Sequence, residues 1–107
     1  MKVSELVNLG FTPAVMPNGD NDISGVYCCD LLSIVMGKAP AGSAWVTVMG
    51  NINSVAVASL TEIGAIILAD GVKPDENALK KAEENGINIL LSSEPVFDTA
   101  LKIEKAK

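Results

Sequence analysis

The chain has 107 residues, 49% of them hydrophobic, and its 8 Lys and 13 acidic residues leave a net charge of −5. It contains no His, no Arg and no Gln. Without His there is no Ser-His-Asp or Cys-His catalytic group and no His-ligated metal. Without Arg there is no bidentate guanidinium contact to phosphate. An acidic chain also lacks the cationic surface that binds nucleic acids and anionic membranes, so we expect neither as a partner.

The length of the chain predicts one domain over residues 1–107. No apolar run approaches the ~20 residues that cross a bilayer, and the first residues show no secretory signal, so we expect a cytoplasmic protein. Cys28 and Cys29 are the only cysteines and are adjacent. Because adjacent cysteines form a disulfide only in a strained ring, we expect reduced thiols buried in the core. A redox or soft-metal role is the alternative, and we expect no cofactor.

In chain order, the first half predicts two helices and two strands. A short amphipathic helix covers Val3–Leu9, and a short strand follows at 14–16. After a loop rich in turn residues comes a strand at 26–29. Asp30 is placed to cap a helix over 31–36 by accepting hydrogen bonds from its free amides.

The second half of the chain alternates strands and helices with short connections. The predicted elements are a strand at 44–49, a helix from Asn53 or Ser54 to Leu60, a strand at 65–69, a helix from Pro74 and Asp75 to Asn85, a strand at 87–91 and a helix from Glu94 or Pro95 to about Ala106. This alternation predicts an α/β layer fold with a mostly parallel or mixed sheet of about five strands.

Three loops follow predicted strands with small or polar residues, at 49–51, 69–71 and 91–93. Ligands of α/β sheets bind at the carboxyl ends of strands, beside helix N-termini. We therefore select six candidate ligand-binding residues: Gly50, Asn51, Asn53, Asp70, Gly71 and Ser92. The alternative is that these residue types simply suit strand-to-helix turns. No Walker motif or spaced glycine motif is present.

The candidates for catalysis are few. An enzyme would have to use Asp30, Asp70 or Cys28. Helix capping explains Asp30 better than an acid or base role does, and a turn explains Asp70 as well as a ligand-facing role does. Ser33 has no base beside it, and we expect Trp45 to pack in the core. No nucleophile, base and orienting residue come together, so we expect no catalytic residues and no enzyme.

Five spaced segments of the chain resemble, in their order and residue types, the sequences of a known family. They are Gly-Val-Tyr-Cys-Cys-Asp-Leu-Leu-Ser-Ile-Val-Met at 25–36, Trp-Val-Thr at 45–47, Asn-Ser-Val-Ala-Val-Ala at 53–58, Ile-Ile-Leu-Ala-Asp-Gly-Val-Lys-Pro-Asp at 66–75, and Lys-Ala-Glu-Glu-Asn-Gly-Ile-Asn-Ile-Leu-Leu at 81–91. From Val3 to Ile103, the chain resembles stand-alone DRTGG-domain proteins, which are similar to the N-terminal domain of HPr kinase.

The resemblance implies a three-layer α/β/α sandwich and a regulatory role. Similar domains accompany CBS-domain pairs in regulated pyrophosphatases, where they contribute to subunit pairing near a nucleotide site, and precede phosphotransacetylase catalytic domains. Small versions resemble proteins encoded beside iron hydrogenase and anti-sigma-like components, which implies a protein partner of that kind.

The motif that names the family is altered in this chain. Its Gly-Asp-Arg corresponds to Gly50-Asn51-Ile52 and its Thr-Gly-Gly to Ala69-Asp70-Gly71, so that only Gly50 and Gly71 match. Replacing the Arg with Ile52 removes a phosphate contact. The leading hypothesis is therefore a non-catalytic regulatory or interaction module that forms a homodimer. The alternative is a sensor that binds a nucleotide or anion at the three loops.

Overall fold

The structure, a computed structural model, describes residues 1–107. Its elements are a 3-10 helix Val3–Leu9, β1 Thr12–Val15, β2 Gly25–Cys28, α1 Leu32–Lys38, β3 Ser43–Thr47, α2 Ile52–Leu60, β4 Ala65–Leu68, α3 Glu76–Asn85, β5 Ile89–Leu91 and α4 Val96–Ala106. None of these helices is long and apolar enough to cross a membrane.

The five strands form one mixed sheet in the order β1-β5-β4-β3-β2. Strands β2 to β5 are parallel, each beside the next, and β1 pairs antiparallel with β5. Three successive β-helix-β units that advance one strand at a time produce this order. The predicted mixed sheet of five strands is confirmed.

Side chains of successive strand residues alternate between two cores. Trp45 and Ile66 pack in one core with residues of α1, α2 and α3. Val46 and Ile67 point to the other core, which residues of the 3-10 helix and α4 complete. Helices therefore cover both faces of the sheet, which explains its continuous apolar strands and confirms the three-layer sandwich.

Short polar side chains set the starts of two helices. Asn51 Oδ1 accepts from the Ser54 amide at 3.1 Å, and Asp75 Oδ1 accepts from the Ala78 amide at 2.8 Å. Helix α2 thus begins at Ile52, and the predicted start at Asn53 or Ser54 was one to two residues late. A left-handed Gly86, at φ 71°, ends α3 as predicted.

The predicted capping role of Asp30 was wrong. Leu31 occupies the N-cap position of α1 and makes no side-chain cap bond. Asp30 Oδ1 instead accepts from Thr47 Oγ1 at 2.7 Å and from the Val48 amide at 3.1 Å. The carboxylate points to the neighbouring strand β3. Its two hydrogen bonds therefore join the segment that follows β2 to the end of β3.

Both thiols are free, as predicted, but the prediction that both are buried was wrong. Cys28 is exposed and Cys29 is half-buried. Cys28 ends β2, which has a neighbouring strand on one side only, so its side chain lies at the rim of the sheet. The prediction for Trp45 is confirmed: the ring is fully buried, and its Nε1–H donates to the Cys29 carbonyl at 2.8 Å.

Candidate functional site

The three predicted loops lie at one edge of the sheet. Because β3, β4 and β5 are parallel neighbours, their carboxyl ends point the same way. The loops there precede α2, α3 and α4. Predicted residues from three separate segments of the chain therefore share one end of the molecule. The contacts of each loop determine what it offers to a ligand.

The loop after β3 packs tightly against the loop after β4. A Cβ at Gly50 would lie 2.9 Å from the Lys73 carbonyl oxygen and 3.0 Å from Pro74 Cα. The Gly50 carbonyl accepts from the Asp75 amide at 3.0 Å. Gly50 is thus required by the close approach of two backbones, and Asn51 is used to cap α2. Both residues have local structural roles.

The loop after β4 makes a left-handed turn at Asp70 and Gly71, whose φ angles are 58° and 70°. Such a turn directs consecutive amides to one side, as in anion-binding loops. Here the Asp70 amide donates to the Glu94 carbonyl at 2.8 Å, and the Gly71 amide donates to the Ser92 carbonyl at 2.9 Å. These two amides therefore join loops to one another. The Asp70 side chain is exposed.

The loop after β5 is held by buried hydroxyl groups. Ser92 Oγ lies 2.7 Å from Thr99 Oγ1 and accepts from the Glu94 amide at 3.1 Å. Glu94 also forms an ion pair with Lys102, whose Nζ lies 5.7 Å from the centroid of the Phe11 ring. The Ser92 side chain is thus engaged inside the fold, where it holds the start of α4.

An open depression of about 210 Å³ lies between the loops after β4 and β5. Gly71 and Ser92 line it, and so does Lys73. Gly50 and Asn51 lie apart from it, beside an apolar region under α2 and α3. Asn53 lies on the exposed surface of α2. The structure thus brings two of the six predicted residues together with a cation.

Sequence analysis missed Lys73, although a signal was present. It is the one Lys among eight that lies in a strand-to-helix loop. Lys73 is the one charged residue among those that line the depression. A hydrated ammonium attracts an anion as a point charge and lacks the two-pronged geometry of a guanidinium group.

The Cys28 thiol is not activated as a nucleophile. Partial burial of its sulfur, and then the negative charge of Asp30, raise the pKa of the Cys28 thiol above its ordinary value. A raised pKa lowers the thiolate fraction at neutral pH, the opposite of what a nucleophilic cysteine needs. No three Cys, Asp or Glu side chains group together as a metal site.

The fold matches a known architecture. A crystal structure of the CBS and DRTGG domains of the regulatory region of Clostridium perfringens pyrophosphatase, complexed with its activator diadenosine tetraphosphate, superposes with a TM-score of 0.71. The chain has the fold of a DRTGG-like domain. The match covers 94% of this chain at 13% identity, and the chain spans 45% of the length of that structure. No family model and no curated protein matches the sequence.

The structure adds a feature that sequence analysis did not identify, namely exposed apolar side chains on three helices. Several large hydrophobic side chains point to solvent, most prominently Leu60, Phe97 and Leu31, with 72%, 70% and 57% of their surface exposed. Ile34 and Leu101 are exposed by 41% and 37%. Helical spacing alone does not separate an exposed apolar residue from a core residue when a helix is short.

Proposed function

We propose that residues 1–107 form one non-catalytic regulatory module of the DRTGG type, and that it acts by self-association as a homodimer. The observation that carries the proposal is that α1 and α4, which cover opposite faces of the sheet beside β2, both expose large apolar side chains, represented by Leu31 and Phe97. Large apolar side chains left in water mark surfaces that associate. The fold it shares with a pyrophosphatase regulatory region supports the regulatory role.

The test of self-association is light scattering with sedimentation over about a hundredfold range of protein concentration, chosen to bracket micromolar affinity. We expect a mass of twice 11.1 kDa at the upper end and dissociation on dilution. A mass of one chain at every concentration contradicts the homodimer. The alternative hypothesis is then that the chain regulates by binding a different protein. The resemblance implies a hydrogenase-associated or anti-sigma-like partner.

A second candidate function is a sensor of a nucleotide or small anion, favoured by the depression that Gly71, Ser92 and Lys73 line. Its volume of about 210 Å³ is below the ~300–1,000 Å³ of ordinary ligand pockets, so the proposed ligand is a small anion or the phosphate end of a nucleotide. The pyrophosphatase structure with this fold is complexed with diadenosine tetraphosphate, which supports testing phosphate esters. The other four predicted residues, Gly50, Asn51, Asn53 and Asp70, do not line this depression, so the proposed sensor site is narrower than the six residues selected from the sequence.

The sensor is tested by thermal unfolding with phosphate, AMP, ATP and diadenosine tetraphosphate. A ligand at 100 times its dissociation constant should stabilise the fold by about 2.7 kcal/mol. Lys73→Ala should remove the effect, whereas Lys80→Ala, on the exposed face of α3, should preserve it. Stabilisation that survives Lys73→Ala, or none with any of the four compounds, contradicts the site.

A further inference from the structure

Strand β2 is an open edge of the sheet. It pairs with β3 on one side, and no strand lies on its other side. Outside that ladder, none of the backbone groups of Gly25–Cys28 makes a hydrogen bond. The strand contains no Pro and no Lys, the residues that commonly prevent an edge from pairing. Its outer row of peptide groups therefore remains free to pair with another strand.

Helix α1 places apolar side chains beside this edge on one face of the sheet. Val35 is fully buried against the sheet. At about 100° per residue, Leu31 and Ile34 lie on one flank of the helix and Met36 lies on the other. In a right-handed β2-α1-β3 crossover, the flank that carries Leu31 and Ile34 faces away from α2 and toward the open edge.

Helix α4 places apolar side chains beside the β2 edge on the opposite face of the sheet, where it packs against β2 and β3. Lys102 marks its inner flank, because its Nζ lies over Phe11, which leads into β1 at the far edge of the sheet. Phe97 lies about 140° around the axis from Lys102, so it is turned away from that flank. Leu101 borders the same surface depression as Lys102 and Glu94. The open edge thus has exposed apolar groups above and below it.

We propose that a second copy of this chain pairs with β2 edge to edge, antiparallel about a two-fold axis, which makes one ten-stranded sheet. The proposal rests on the proposed homodimer and names its interface. The two-fold axis is perpendicular to the sheet and passes between the two β2 strands, so it places each helix beside the same helix of the second copy. Because Ile34 lies near the middle of α1, it then contacts the same residue of the second copy.

Size is compatible with this arrangement. The Cα atoms extend over 29 × 25 × 25 Å, so one face presents about 600 Å² in projection. The accessible area of a face exceeds its projection and approaches the ~800 Å² per partner of a standard interface.

The first test introduces charge at the proposed axis. Ile34→Lys, which places two like charges together in the dimer, should raise the dissociation constant at least tenfold, from the ordinary cost of like charges in contact. Leu60→Lys is the matched control, because Leu60 is more exposed but ends α2 away from the edge. A dimer that weakens with Leu60→Lys and not with Ile34→Lys overturns this interface and leaves the homodimer standing. A wild-type chain that never dimerises overturns the homodimer itself.

The second test uses Cys28 as a reporter in a Cys29→Ser chain. In an antiparallel pair centred on β2, the two Cys28 Cα atoms lie within about 20 Å of one another. We expect a short bismaleimide to link two chains above the dissociation constant, and Ile34→Lys to reduce the linked fraction at least tenfold. Hydrogen exchange should show protection of 25–28 that increases with concentration. A dimer that forms without crosslinking and without that protection overturns the edge pairing.

Discussion

The two edge strands of the sheet differ in whether another strand can pair with them. At one edge, β1 pairs antiparallel with β5, contains Pro13 and has a register irregularity between Pro13 and Val15. At the other edge, β2 is regular, parallel to β3 and without Pro. Proline and irregular pairing both block the addition of another strand. The comparison indicates that the same sheet is closed at β1 and left available at β2.

A buried amide fastens the closed edge. Asn88 Nδ2 donates to the Asn18 carbonyl and to the Gly64 carbonyl, each at 3.0 Å, and its Oδ1 accepts from the Asn18 amide at 2.9 Å. The loop that leaves β1 is therefore tied to the sheet next to β5 and β4. Nothing equivalent secures the outer side of β2, whose peptide groups make bonds to β3 alone.

The largest expected effect comes from breaking the closed edge. Asn88→Ala leaves three backbone groups without their partner, and we expect it to lower the free energy of unfolding by about 3 kcal/mol. Urea unfolding by circular dichroism measures the change, with exposed Asn77→Ala as control. If Asn88→Ala costs no more than the control, the tether does not stabilise this edge.

The next largest effect is expected when association at the open edge, strand β2, is disrupted. A dimer formed through folded chains stabilises them by mass action, by about 2 kcal/mol per chain when the total chain concentration is about 1,000-fold above the dissociation constant, because only about 2% of the chains are then monomeric. We expect the melting temperature to rise with protein concentration in the wild type and to stay constant in Ile34→Lys. Equal concentration dependence in both chains contradicts pairing at β2.

A smaller effect is expected where the open edge joins the rest of the sheet. Asp30→Asn weakens the charge-assisted bonds to Thr47 Oγ1 and the Val48 amide, and should cost about 1–2 kcal/mol of unfolding free energy. Exposed Asp20→Asn, which removes the same charge elsewhere, is the control. Equal stability of the two variants means that Asp30 does not fasten β2.

The smallest effect concerns the reactivity of Cys28 at the open edge. Because the pKa of its thiol is raised, the thiolate fraction at pH 8 is lower than in an unstructured peptide. Alkylation of Cys28 in the Cys29→Ser chain, followed by mass spectrometry, should be severalfold slower than in the peptide and should accelerate as pH rises. Asp30→Asn removes the second cause and should increase the rate modestly. A rate that equals the peptide rate contradicts the raised pKa.

Local sequence signals predicted much of the fold but less of the site. Asp75 and Gly86 begin and end α3 because capping and left-handed turns depend on residues close in the chain. Asp30 has equally good capping chemistry, yet it bonds Thr47, 17 residues away. Ser92 was selected for a ligand and bonds Thr99 inside the fold. Hydrogen-bond partners distant in the chain are decided by packing, which residue type does not reveal.

The sequence by itself determined the alternating elements, the apolar strands covered on both faces, and the absence of His and Arg chemistry. Only the tertiary structure decided that the amides of Asp70 and Gly71 join loops to each other. It also decided that β2 is left at an open edge between exposed side chains of α1 and α4. The physical reason is that strand order arises from contacts between distant segments, whereas helix ends, turns and composition are local properties.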